Sequence, residues 1–222
     1  SFPARGRSLC GHENHGTQTM TIELHQGDLP ADIGFGDCVA VDTETMGLNP
    51  ARDRLCLMQL SGGDGNAHIV RFAAEEYDAP NLKSLLTAPA VTKLFHFARF
   101  DVAVISRYLE IDCAPLYCTK IASKLTRTYT DRHGLKDLCR EILGINLSKE
   151  QQSSDWGADE LSPSQLEYAA ADVLHLHELR AALDEMLARE ERSGMAAACF
   201  SFIPYRARLD LAGWGEVDIF AH

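Results

Sequence analysis

Short apolar runs separated by turn residues dominate the first half of the chain. They lie at residues 38–42, 55–60, 67–71 and 93–97. Each run has the length of a buried strand rather than of a helix. The segment SGGDGN, between the second and third runs, predicts a hairpin connection.

Apolar residues at helical spacing fill the intervals between these runs and the region after them. The predicted helices lie at roughly 81–87, 98–109, 117–127 and 134–143. Three strands, followed by strands that alternate with helices, predict an α/β fold. We expect a mixed five-stranded sheet flanked by helices.

The best-defined helix is predicted to begin after Ser162. The sequence Ser162-Pro163-Ser164-Gln165 fits a capping box with proline at the first helical position. Apolar residues recur at helical spacing through YAAADVLHLHELRAALDEMLARE, which predicts one long helix with a core-facing stripe. About 30 residues follow this last predicted helix.

Two segments are expected along the chain. Residues 1–19 are polar and aperiodic, and we interpret them as a flexible lead or an expression remnant before Met20. Residues 20–222 are expected to form a single domain that includes the aromatic C-terminal segment.

Composition narrows the class of protein. Hydrophobic residues make up 45% of the chain and charged residues 24%, which is typical of a soluble globular protein. The sequence has no apolar run near the roughly 20 residues of a membrane helix. Seven cysteines without a CxxC pair favour reduced thiols in a cytosolic protein.

The formal net charge is −11, which disfavours a protein that grips long nucleic acid through many phosphates. The net charge does not exclude a small anionic substrate, because a local basic patch or a bound metal can dominate the electrostatics of a site.

Two carboxylates lie at the end of a buried apolar run, where a charged group loses hydration. Asp42 and Glu44 end the first buried run, and their spacing places both side chains on the same side of a strand. Two such charges need a cation or several donors to offset their repulsion and lost hydration. Tyr168 and Asp172 share one face of the capped helix, and Asp101 follows the fourth strand. Alone, Asp101 is typical of a helix-start residue and Tyr168 of core packing.

Together these residues resemble the DEDD-type 3′–5′ exonucleases in their Tyr-bearing subclass (DEDDy). The segments HGLKDLCREILG, SKEQQSSDW and LSPSQLEYAAADV resemble the ribonuclease D branch of that family. HQGDLP and the ending LDLAGWGEVDIFAH resemble its small nanoRNase members. The resemblance covers nearly the whole chain from residue 20 and implies a ribonuclease H-like fold.

The resemblance also implies a chemistry. Asp42, Glu44, Asp101 and Asp172 would hold two divalent ions, Mg²⁺ or Mn²⁺, for hydrolysis of the last phosphodiester to a 5′-mononucleotide. Tyr168 would position the attacking water. We expect Asp42→Asn to abolish turnover and to leave the fold intact.

Substrate contacts are less specific in the sequence. The candidates to meet a terminal base are Met46 and Leu48, although core packing is the alternative for Met46. The candidates to bind phosphate, in a locally basic stretch, are Arg127, Arg132, His133 and Lys136; a solvated surface is their alternative. The residues where the resemblance places the substrate cleft are Gln152, Ser153 and Asp155.

The leading hypothesis is an exoribonuclease for dinucleotides and short oligoribonucleotides, assembled as the ring-shaped homo-octamer that the resemblance implies. The aromatic residues of the C-terminal segment then fold back or pack against another subunit: Phe200, Phe202, Tyr205, Trp214 and Phe220.

The alternatives are trimming of longer structured RNA, in the manner of ribonuclease D, and a second activity on DNA. The absence of a segment for helical accessory domains counts against the first. A catalytically inactive nucleic-acid-binding module is disfavoured, because all four acids and the tyrosine are present.

Overall fold

The structure is a computed structural model in which residues 21–148, 150–151 and 153–222 are described. Within these residues six strands form one mixed sheet: β1 (Thr21–Gln26), β2 (Cys38–Thr45), β3 (Leu55–Ser61), β4 (Asn66–Arg71), β5 (Thr92–Phe95) and β6 (Leu116–Cys118). Their order across the sheet is β1-β4-β3-β2-β5-β6. The predicted α/β fold with a mixed sheet is confirmed, but the sheet has six strands rather than five. The expected lead at residues 1–19 lies outside the described residues.

Strand β2 lies inside the sheet, antiparallel to β3 and parallel to β5. β4 is antiparallel to β3 and parallel to β1, and β6 is parallel to β5. Val39, Ala40 and Val41 have no exposed surface. The apolar run therefore reflects a strand that is covered on both faces.

The region predicted as a helix over 117–127 contains a strand and a shorter helix. Leu116–Cys118 pairs with β5, and the helix begins only at Thr119. A strand of three residues is too short to show a period of two. The sequence pattern therefore assigned its apolar residues to the helix that follows.

Helices cover both faces of the sheet. They are α1 (Pro80–Thr87), α2 (Ala98–Tyr108), α3 (Thr119–Thr126), α4 (Leu135–Leu138), α5 (Pro163–Leu174), α6 (Leu176–Arg189) and α7 (Ser193–Leu209). α4 continues into a π-helical turn over Cys139–Leu143, and α7 into another over Asp210–Trp214. The predicted helices at 81–87 and 98–109 are confirmed by α1 and α2.

The prediction of one long helix after Ser162 is wrong, because the helix breaks at His175. This residue has φ −102° and ψ 0°, and it separates α5 from α6. α5 packs against β2, β3 and β4, whereas α6 packs mainly against α3. The apolar stripe continues across the break, so the sequence period alone does not reveal the bend.

A further helix, α7, lies where the sequence pattern predicted none. It packs along α2 and buries Phe200 and Ile203. The Phe200 ring lies 4.6 Å from the ring of Tyr117, measured between centroids. Part of the aromatic C-terminal segment thus folds back on the domain.

Over the described ranges, no helix has both the length and the apolar character that crossing a membrane requires.

Candidate active site

Three carboxyl groups meet where β2 runs beside α5. Asp42 and Glu44 project from the same side of β2, and Asp172 projects from α5, which packs on that strand. One carboxylate oxygen from each residue lies within 4.8 Å of the other two. The structure therefore brings three of the predicted acids within reach of a shared cation.

Asp101 joins this cluster from the first turn of α2. Its side chain is buried, and its carboxylate accepts a hydrogen bond of 2.7 Å from the hydroxyl of Thr43, the residue between Asp42 and Glu44. Phe97, at the junction of β5 and α2, adopts a left-handed backbone conformation with φ 68°. This sharp turn directs the start of α2 toward β2.

Tyr168 lies one helical turn before Asp172 on α5, so the two side chains share one face of the helix. Its ring packs 6.0 Å from that of Trp156, which is buried. The capping box predicted for this helix is confirmed. The Ser162 hydroxyl accepts a hydrogen bond from the Gln165 backbone N–H, and the side-chain oxygen of Gln165 accepts one from the Ser162 backbone N–H. The cap fixes where the helix starts and so where Tyr168 and Asp172 face.

The electrostatics of the cluster favour a cation. Burial, reinforced by the neighbouring carboxylates, raises the pKa of Glu44 to about 9 and holds that of Asp42 well above its usual range. Burial also raises the pKa of Asp101 and of Asp172 to about 7. Among the described residues, none of these four acids has a salt bridge to a basic side chain.

The donor set of this cluster fits hard divalent ions. It consists of carboxylate oxygens, which Mg²⁺ and Mn²⁺ prefer, without the thiolates or imidazoles that softer metals favour. Asp42, Glu44 and Asp172 are partly accessible to solvent, so an ion has a path to them.

A cleft of about 520 Å³ opens on Glu44 and Tyr168. Met46 and Leu48 line it with exposed fractions of 51% and 90%. The core-packing alternative for Met46 is therefore wrong. Phe100 of α2 also lines the cleft, and sequence reasoning missed it because its position on the helix follows the ordinary apolar spacing.

A second cleft, of about 280 Å³, opens beside Asp42 and Asp172 and is also lined by Lys136. Lys136 is thus the member of the predicted basic group that the fold brings to the carboxylates. His96 lines this cleft as well and shares a hydrogen bond of 2.9 Å with the Thr119 hydroxyl. Burial, with a smaller effect of Lys120, lowers the pKa of His96 to about 3, so its ring is neutral.

The prediction that Arg127 contacts phosphate is wrong, because its side chain is only 1% exposed. Its guanidinium pairs with Glu141 and donates to the backbone oxygen of Arg132 at 2.8 Å. The His133 ring shares a hydrogen bond of 2.9 Å with Ser123. In the described part of the chain, neither Arg132 nor His133 is among the residues that line the two clefts.

The remaining predicted contacts lie in the segment before α5. Ser153 is exposed and lines the larger cleft. Asp155 accepts a hydrogen bond of 3.0 Å from the Gly157 amide, which holds a turn next to Trp156. Gln152 lies outside the described residues.

The C-terminal segment borders the larger cleft. A groove of about 350 Å³ is shared by Leu48, Phe100, Arg99 and Gly215. Arg99 of α2 donates to both carboxylate oxygens of Asp210, at 2.5 and 2.8 Å, and to the Gly215 backbone oxygen at 2.8 Å. This bidentate pair ties the segment after α7 to the helix that carries Asp101.

The chain is similar to known proteins over most of its length. The family described as 3′–5′ exonuclease matches residues 21–188. Ribonuclease D of Acidiphilium cryptum is 36% identical over 154 residues, which are 69% of this chain and 39% of that protein. The chain spans about two fifths of the length of the curated relatives it matches.

Two solved structures resemble nearly the whole chain. One is Brucella melitensis NrnC bound to pGG, with 56% identity, a TM-score of 0.89, and coverage of 92% of this chain and 100% of that one. The other is Brucella melitensis NrnC with bound Mg²⁺, with 55% identity, a TM-score of 0.87, and coverage of 91% and 99%. The resemblance to ribonuclease D and to its small members, inferred from the sequence motifs, is confirmed.

Proposed function

The chain belongs to the 3′–5′ exonuclease family, and from this premise we propose that it is a metal-dependent 3′–5′ exoribonuclease. Its proposed substrates are dinucleotides and short oligoribonucleotides, which it would hydrolyse to 5′-mononucleotides. The observation that carries the proposal is the cluster of Asp42, Glu44 and Asp172 oxygens within 4.8 Å of one another.

In this proposal Asp42, Glu44, Asp101 and Asp172 hold two divalent ions, Mg²⁺ or Mn²⁺. The ions would supply an activated water and would stabilise the charge that develops at the phosphodiester. Support comes from the all-carboxylate donor set and from the similar Brucella melitensis NrnC, whose structure contains bound Mg²⁺.

Tyr168 is proposed to orient the attacking water through its hydroxyl. Burial, together with the negative charge of Asp172, Glu44 and Asp42, raises the pKa of this phenol. The hydroxyl therefore keeps its proton at neutral pH and acts as a hydrogen-bond donor rather than as a free base.

Residues around the carboxylates are proposed to hold the substrate. Met46 and Leu48 expose apolar surface at the larger cleft and would pack against a terminal base. Lys136 lines the smaller cleft with Asp42 and Asp172 and would pair with a phosphate oxygen. Ser153 also lines the larger cleft and would contribute a hydroxyl.

Three observations support a short substrate. The two clefts are small, the chain carries a formal net charge of −11, and the similar Brucella melitensis NrnC was solved bound to pGG. A net negative charge disfavours binding of a long phosphate backbone.

Trimming of longer RNA is the second candidate function, favoured by the 36% identity to a ribonuclease D. A time course with 5′-labelled RNAs of two, five and twenty nucleotides in Mg²⁺ or Mn²⁺ separates the two, with EDTA as the control. We expect rapid loss of the dinucleotide and little processing of the longest RNA. Stepwise ladders on the longest RNA with an intact dinucleotide would establish trimming instead.

Two further outcomes of this time course are decisive. Absence of cleavage with either ion would favour a nucleic-acid-binding module without catalytic activity. Matched DNA oligonucleotides test whether the sugar matters, since the proposed chemistry does not require a 2′-hydroxyl.

We also propose that residues 20–222 act as one nuclease domain, C-terminal segment included, and that copies of it assemble into a homo-oligomer, an octameric ring. Packing of α7 along α2 supports the single domain. Support for assembly comes from apolar side chains exposed near the C-terminus: Trp214, Val217, Ile219 and Phe220.

A further inference from the structure

A second group of metal-ligating side chains lies at the edge of the sheet. β1 is an edge strand next to β4, and their parallel register places Glu23 opposite His68. His25 lies two residues beyond Glu23 and so projects from the same side of the strand. One ligand atom from each of these three residues lies within 4.8 Å of the other two.

This group is separate from the carboxylate cluster. Strand pairing aligns Asp42 with Gln59 and Gln59 with Ile69, whereas His68 is aligned with Leu60 in the adjacent row. Neighbouring rows of a sheet project from opposite faces. The two histidines and Glu23 therefore lie on the face of the sheet opposite Asp42.

We propose that Glu23, His25 and His68 form a binding site for one transition-metal ion of the Zn²⁺ type. The Nε2 atom of His25 lies 3.2 Å from the Nδ1 atom of His68. Two imidazole nitrogens bound to one tetrahedral zinc, each at about 2.0–2.1 Å, are roughly 3.3 Å apart. The two nitrogens are thus already separated as a shared ion requires.

The carboxylate supplies the adjustable third ligand. Glu23 Oε2 lies 3.7 Å from His68 Nδ1 and 4.0 Å from His25 Nε2, slightly wider than a bound ion would draw it. Its side chain is 51% exposed, so it can move inward at little cost. Two histidines and one carboxylate are a familiar zinc donor set, and they leave a fourth position for water.

The histidine rings are held in place by packing. Their side chains are only 12% and 13% exposed, and the two rings stack with centroids 5.4 Å apart. Phe35 packs edge-on against His68, at 5.6 Å. Such a preset pair loses little conformational freedom when an ion binds.

The contact between the two rings is compatible with a bound metal. Without an ion, the facing nitrogens share a hydrogen bond in which one of them donates. With an ion, that proton moves to the far nitrogen of the same ring, and both facing lone pairs bind. The ion would then join the edge strand β1 to β4.

Titration with Co²⁺, a coloured substitute for Zn²⁺, tests the site in an Asp42→Asn, Asp172→Asn variant that lacks two of the four acids of the carboxylate cluster. We expect one equivalent of Co²⁺ with tetrahedral visible absorption, displaced by Zn²⁺. At a hundredfold excess over Kd, Zn²⁺ should raise Tm by roughly 5–10 °C. In the same background, His68→Gln and Glu23→Gln should each weaken Co²⁺ binding at least tenfold.

His222→Gln, which removes an exposed histidine, is the matched control and should keep the affinity. The proposal would be overturned if the His68→Gln and Glu23→Gln variants kept the Co²⁺ affinity of the Asp42→Asn, Asp172→Asn background, or if that background bound neither Co²⁺ nor Zn²⁺. Glu23→Gln decides the question if His68→Gln does not fold, because about half of the Glu23 side chain is exposed. Cleavage of a dinucleotide in Mg²⁺ by Glu23→Gln should equal that of the wild type, so failure here is distinguishable from failure of the proposed function.

Discussion

At the scale of single residues, the fold raises the pKa values of the carboxyl groups around β2 above those of the unfolded chain. Asp42, Glu44, Asp101 and Asp172 all have raised pKa values, first because of burial. Their mutual repulsion is a cost that the metal-free protein carries and that bound cations would relieve. Four predictions concern these groups and Tyr168.

Replacement of Asp42 by asparagine removes one buried charge while it keeps the size of the side chain. We expect turnover to fall by roughly 10²–10³-fold or more, since a ligand for the ions is lost. We also expect the Tm of the metal-free variant in EDTA to equal or exceed that of the wild type. Asp32→Asn, at an exposed position, is the control and should change neither quantity. Wild-type rates in Asp42→Asn would exclude the proposed mechanism.

Replacement of Tyr168 by phenylalanine tests the positioning of water. We expect kcat to fall by roughly 10²-fold with little change in KM, because the hydroxyl orients a reactant without binding the nucleotide. Mn²⁺ affinity, measured by calorimetry, should stay close to the wild-type value. Tyr129→Phe removes a hydroxyl from a side chain that is 79% exposed and should leave kcat unchanged. A kcat of Tyr168→Phe equal to that of the wild type would remove Tyr168 from the mechanism.

The raised pKa values predict a pH dependence of metal binding. Between pH 6 and 9 the metal-free cluster holds protons that an ion must displace, because Asp101 and Asp172 titrate at about 7 and Glu44 at about 9. Mg²⁺ affinity should therefore rise with pH, by up to about tenfold per pH unit for each proton displaced. Calorimetry in buffers of different ionisation enthalpy measures the Mg²⁺ affinity and the number of protons displaced. A constant affinity over this range would contradict the assignment.

The same groups determine how the stability of the metal-free protein varies with pH. A folded-state pKa above the unfolded value of about 4 means that the folded state binds more protons. The contribution of these acids to stability is thus complete below about pH 4 and is lost as pH rises toward 9. In EDTA, this loss should be smaller in Asp42→Asn than in the wild type.

At the scale of elements, α5 is the helix that delivers both Tyr168 and Asp172. Its capping box depends on Ser162, and its proline lies at the first helical position. Local sequence therefore sets the start of the helix, and packing on β2, β3 and β4 sets its direction.

Removal of this cap should lower the stability of the protein and leave the catalytic side chains in place. We expect Ser162→Ala to lower the free energy of unfolding by about 1 kcal/mol, or Tm by roughly 2–4 °C, because a backbone donor loses its acceptor. Ser162→Asp, which keeps an acceptor, should restore most of the stability. Thermal unfolding with Mg²⁺ present measures both variants. Equal Tm values for alanine and aspartate would show that the cap is not the stabilising feature.

At the scale of the whole molecule, the C-terminal segment is divided between two environments. Phe200 is buried against the domain, whereas Phe220 is 76% exposed and Trp214 50% exposed. Arg99 and Arg206 both pair with Asp210 and fix the path of the segment next to the larger cleft. The exposed apolar residues are therefore presented on an ordered part of the chain.

This arrangement predicts the effect of a charge at the exposed end. We expect the wild type to have eight times the chain mass by light scattering and Phe220→Glu to shift to smaller species, because a carboxylate is costly in an apolar interface. Tyr129→Glu, at another exposed aromatic position, should keep the wild-type mass. A monomeric wild type, or an unchanged mass in Phe220→Glu, would contradict the proposed assembly.

The sequence by itself determined the features that depend on neighbouring residues. These are the α/β class, the strand that ends in Asp42 and Glu44, and the capped helix that carries Tyr168 and Asp172. Periodicity and capping act over one or two turns of chain, so they are visible without a structure.

Only the tertiary structure decided the features that depend on distant segments. Arg127 and Lys136 look alike in the sequence, but one is buried against Glu141 and the other lines the cleft beside Asp42. Likewise, the helices on either side of His175 pack on different elements, and His25 meets His68 from another strand. The chemistry of a side chain is given by the sequence, but the direction in which it faces depends on the segments that pack against it.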